Sequence, residues 1–135
     1  MTLTLTDQDR TTLQIAAYGA VALLAAVDAA GSPHKVATHG SIALASGTGV
    51  AGHVLAGYPK GKDLNGKSVA ELADKVLPAL TAAMGVLEKQ DPAEAENYRG
   101  IVLVALDTAA KARKSEPTPT MTAMIRKITE ALDAA

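Results

Sequence analysis

Cysteine, phenylalanine and tryptophan are all missing from these 135 residues, and the only aromatic side chains are Tyr18, Tyr58 and Tyr98. Without cysteine there is neither a disulfide framework nor a thiolate metal site, and the redox compartment is left open. Without rings, stacking platforms for bases and aromatic cages for organic cations lack their material. An excess of one charge is missing too. The formal net charge is −1 and the pI is near 6.3, so no global field draws the chain to nucleic acid or an anionic membrane. The longest nearly uncharged apolar run in the first half, residues 13–27, is shorter than the ~20 residues a bilayer span needs. The opening Met1-Thr-Leu-Thr-Leu-Thr carries no basic n-region, so a secretory signal is not expected. The default expectation is one cytoplasmic domain spanning 1–135, with no nucleic-acid or membrane partner.

What the chain does contain is helix punctuation. Thr6 stands three before Asp9, Ser68 three before Glu71, Ser32 before Pro33, Asp91-Pro92 before Glu94, and Thr118 before Pro119. Each pairs a side-chain acceptor with an acid or a proline, where a helix leaves its first N–H groups without partners. Between these points the apolar residues recur at helical spacing. The fold class expected is therefore all-α, a compact bundle of about five or six helices with Gly/Ala-rich packing. A core of Ala, Val, Leu and Ile lets helix axes approach closely.

The first helix is expected over 7–30, closed by Gly31 in a left-handed conformation. Leu13, Ala16, Ala17, Ala20, Leu24 and Val27 form one stripe, and Ile15, Val21, Ala22 and Leu23 cover much of the rest. A helix apolar all round is central in its domain or lies at a subunit interface. Asp28 near its end opposes the macrodipole. Two shorter helices, about 33–46 and 48–56, carry the small-residue seam Val36, Gly40, Ala43, Gly47, Val50 and Val54, with a break at 47–49. An extended Ser41–Ala45 is the competing reading. Residues 57–67 are loop by their glycines, proline and Asn-Gly pair. A helix over 69–89 contains Pro78, which removes one hydrogen bond and bends it. The helix over 92–114 carries an uninterrupted apolar run from Ile101 to Leu106 and is the second central one. A Pro-containing linker at 115–119 precedes the last helix, 120–133, and 1–6 is an extended segment.

The sharpest motif is Gly47-Thr-Gly-Val-Ala-Gly52, a literal G-x-G-x-x-G. In dinucleotide folds such glycines make the tight turn and admit the pyrophosphate. Here no second strand and no βαβ unit follow, so a helix break or close helix approach is the stronger reading. Cofactor binding by Gly47, Gly49 and Gly52, helped by Lys60 or Lys62, is the alternative. His34, His39 and His53 lie five and fourteen positions apart, not the three or four that puts two ligands on one helical face, and no metal site is expected. Asp91, Glu94 and Glu96 are explained by a helix start, through the macrodipole. Lys60, Lys62 and Lys67 with Lys111, Arg113 and Lys114 read as solvated charge rather than a phosphate patch.

No catalytic residue and no cofactor follow from these patterns. The expected activity is self-association as a protein-interaction module, a homodimer, because two helices lack a polar face. A small-molecule or nucleotide-phosphate binder using Gly47, Gly49 and Gly52 is one alternative. A small helical enzyme around Tyr18, His39 and His53 is the other.

Overall fold

The computed structural model describes residues 3–28, 31, 33–59, 68–113 and 116–135. Six helices follow one another: α1 (Asp7–Ala26), α2 (Pro33–Ala45), α3 (Gly49–Leu55), α4 (Val69–Gln90), α5 (Pro92–Lys111) and α6 (Pro119–Asp133), with no strand among the described residues.

The caps sit where the side-chain acceptors fall. Thr6 and Asp9 form a reciprocal capping box on α1. Ser68 accepts from the Glu71 N–H on α4, and Thr118 accepts from Met121 on α6. Asp91 accepts from Ala93 and Glu94, with Pro92 in the first turn of α5. Each satisfies a donor that the helix itself cannot reach. The cap expected from Ser32 lies outside the described residues.

α1 and α5 are the two central helices, each packing against all five others. The all-round apolar character of α1 is answered within one chain: Leu13, Ala16, Ala17, Ala20, Leu23 and Leu24 are all fully buried. Small residues set the helix spacing. A Cβ on Gly19 would lie 2.4 Å from a Val76 methyl on α4, and one on Gly40 would lie 2.6 Å from Val21 on α1 and 3.2 Å from Ala109 on α5. The α1–α4 and α1–α2 contacts are therefore closer than side chains with a β-carbon permit. The Tyr98 hydroxyl, buried, donates to the Leu13 carbonyl at 2.7 Å and ties the two central helices together. Arg99 and Asp133 form an exposed pair at 2.8 Å between α5 and α6.

Several local expectations change. α1 ends at Ala26 rather than running to 30, and Gly31 is not left-handed, since the one described residue with positive φ is Gly49. Gly31 is small for another reason. A Cβ there would meet the Asp28 carboxylate at 2.5 Å and the Arg113 guanidinium at 2.8 Å. Asp28 is itself buried and pairs with Arg113 at 3.0 Å, joining the C-terminal ends of α1 and α5. Its cost against the macrodipole is offset by a cation that lies far away in sequence. Ser41–Ala45 is helical, as the main reading has it, and the extended alternative is excluded. As expected, α4 continues through Pro78, which is exposed. Residues 57–59 are non-helical as expected; 60–67 lie outside the described residues.

Candidate functional site

The G-x-G-x-x-G segment forms the elbow between α2 and α3, and its three glycines have three different jobs. A Cβ on Gly47 would meet Ile101 of α5 at 2.8 Å. Gly49 takes φ +77°, the left-handed region that glycine enters without strain. Gly52 faces the backbone of Gly47, where a Cβ would come within 2.3 Å of its carbonyl carbon. Backbone cannot move aside as a side-chain tip can. The segment before the elbow is a helix, so the strand that a dinucleotide turn requires is not there.

Both ends of the short α3 are held by side chains from other helices. At its start, Glu94 of α5 accepts from the Ala51 N–H at 3.0 Å, and Asn97 donates to the Thr48 carbonyl at 2.8 Å and to Glu94 at 3.2 Å. Thr48, in the cap position, makes no side-chain cap of its own. At its end, Gln14 donates to the Val54 carbonyl and the Tyr18 hydroxyl to the Leu55 carbonyl at 2.5 Å, both from α1. A phosphate oxygen arriving at this elbow would find a carboxylate already in place.

Beside the elbow lies an open groove of about 670 Å³ between the C-terminal half of α2 and the outer face of α5. Ala43 and Gly47 line it from one side, Gly100, Ile101 and Val104 from the other. Val104 is 62 % exposed, and Ile42, one helical turn before the groove residue Ser46, is 59 % exposed. Compared with family models, with curated proteins and with solved structures, the chain matches none.

Two of the polar side chains of the groove have their hydrogens committed within the fold, while the Thr48 hydroxyl makes no cap bond. Ser46 spends its hydroxyl proton on the Ile42 carbonyl at 2.8 Å. Asn97 spends its amide hydrogens on Thr48 and Glu94. Glu96 adds a carboxylate that makes no ion pair among the described residues, and no Lys, Arg or His lines the groove.

The remaining candidates do not converge. Tyr18 is buried with its hydroxyl committed to Leu55, and burial with the neighbouring Tyr58 pushes its pKa up. The Tyr18 and Tyr58 rings meet edge to face at 4.7 Å. His34 and His39 lie exposed on α2 and His53 exposed on α3. No group of three His or acidic residues among those described is placed to share a metal ion. Lys60, Lys62, Lys67 and Lys114 lie outside the described residues. Asp91 acts as the cap its position suggests, while Glu94 serves α3 and Glu96 rims the groove. Residue spacing gave no warning of the groove, because Val104 sits within an apolar run that reads as core.

Proposed function

We propose that this protein is a non-catalytic interaction module that associates with itself through the outer face of α2 and α5. The observation that carries the reading is Val104, more than half exposed where it lines a groove with Gly and Ala residues, together with Ile42, also more than half exposed, one helical turn from the groove residue Ser46. Large apolar side chains standing free at a concave, apolar surface mark a docking site, and small residues at its floor let a helix approach. Self-association no longer needs α1, whose apolar surface is consumed inside the fold; the outer face of α2 and α5 supplies it.

Light scattering coupled to size exclusion at high micromolar concentration tests this. A dimer that Val104→Asp converts to monomer, with an unchanged far-UV CD spectrum, supports the reading. A monomer in the wild type ends it.

The volume of the groove supports a second reading, a small-molecule site, since about 670 Å³ falls in the size range of ligand pockets. A compound that binds there raises the melting temperature of the native state, and a Val104→Asp variant loses that rise.

A further inference from the structure

Gly100 lies in the middle of α5, and a Cβ built on it meets nothing within 4 Å. A mid-helix glycine is disfavoured relative to alanine, and no neighbour in the chain uses the gap it leaves. Val104 stands one turn further along the same face, 62 % exposed. A gap and a protruding side chain one turn apart on one helix are complementary to a second copy of that helix running the other way. A twofold axis placed between them seats each Val104 in the notch over the partner's Gly100, both at once.

Charge points the same way. The groove carries the Glu96 carboxylate and no cationic side chain, so a basic side chain suits its rim. Lys111 lies two turns beyond Val104 on that same face of α5, and its side chain is 76 % exposed. In the antiparallel arrangement it comes level with the partner's Ala93, one turn from the partner's Glu96. Lys111 already holds Asp107 of its own helix at 3.0 Å, and an ammonium has three hydrogens to share. Asp107 comes level with the partner's Asn97 in the same register, so each Lys111 stands between its own Asp107 and the partner's Glu96, and the symmetry makes this contact twice.

We infer that two copies of the chain pair through antiparallel α5 helices, with Val104 over Gly100 and Lys111 against Glu96 across a twofold axis. This register rests on the self-association proposed above and names its contact.

The full-length chain tests it by sedimentation or light scattering. Glu96→Lys and Lys111→Glu each weaken the dimer about tenfold, and the double variant, which restores opposite charges, returns to within about threefold of wild type. Because the chain has no cysteine, a mixture of Gly100→Cys and Val104→Cys proteins, oxidised gently, gives a covalent dimer in higher yield than either protein alone. A dimer indifferent to both charge reversals and without the mixed cross-link overturns this register while leaving self-association standing. A wild type that stays monomeric overturns both.

Discussion

Glu94 accepts the backbone N–H of Ala51 at 3.0 Å, reaching from α5 into the first turn of a helix that lies 43 positions earlier. Seven residues are too few for a helix to hold itself in water. α3 exists because α5 fills its N-terminal end and α1 its C-terminal end.

Glu94→Ala should therefore destabilise the protein by about 1–3 kcal/mol, while Glu94→Gln, which keeps an acceptor oxygen, should lose less. Hydrogen exchange gives the local test: the amides of α3 should open faster than those of α4. Uniform loss of protection across all helices would show that Glu94 has no special hold on α3.

Arg113→Ala should be the most damaging single change at the end of α5. It removes the guanidinium 3.0 Å from Asp28, whose side chain is 2 % exposed, and breaking a buried ion pair costs about 3–5 kcal/mol. Replacing both partners, as in Asp28→Leu with Arg113→Met, should recover most of that loss in urea denaturation. A double variant no better than Arg113→Ala would refute the pairing as the cause.

Tyr98 sets an alkaline limit. Its burial pushes its pKa up from the ordinary tyrosine value of about 10, so the folded chain keeps a proton that the unfolded chain releases above that pH. Stability contributed by the neutral hydroxyl is fully present below pH 10 and falls above it, by at most about 1.4 kcal/mol per pH unit. Burial raises Tyr18 in the same direction. In Tyr98→Phe the loss between about pH 10 and pH 11 should be shallower by up to that amount. At neutral pH the same variant should cost about 1 kcal/mol, since the Leu13 carbonyl keeps its bond within α1. Equal slopes for the two proteins would contradict a protonated Tyr98 at high pH.

The glycines separate by what surrounds them. Gly52→Ala drives a methyl into the Gly47 backbone, and Gly49→Ala must hold φ +77° against Asn97 and Glu94. Both should lower the melting temperature, Gly52→Ala more, because left-handed strain alone is about 1–2 kcal/mol. Gly85→Ala meets nothing within 4 Å and should stabilise the fold by about 0.5–1 kcal/mol. Gly100→Ala should stabilise the monomer similarly yet weaken self-association, a combination that chemical denaturation and light scattering resolve separately.

Helix starts were legible in the residues because capping is local. Thr6, Ser68, Asp91 and Thr118 each satisfy a donor two or three positions away. The break after α2 was legible for the same reason, since Gly47 and Gly49 disfavour helix wherever they stand. The elbow's meaning was not. A G-x-G-x-x-G string describes a turn with close approach, and whether phosphate or a carboxylate of the same chain fills it depends on where α5 lies. Asp28 reads as a small helix-end penalty in isolation and as half of a buried pair once Arg113 is beside it.

The residues by themselves determined that this chain is helical, where most helices begin, and that its core is built of small aliphatic side chains, because caps and periodicity act within one or two turns. Only the tertiary structure decided that the apolar residues of α1 are enclosed, that α3 is held by Glu94, Asn97, Gln14 and Tyr18, and that Val104 faces outward at the groove. An uninterrupted apolar run does not say which of its sides meets neighbours. That choice is made when helices distant in sequence pack and leave one face of α5 uncovered.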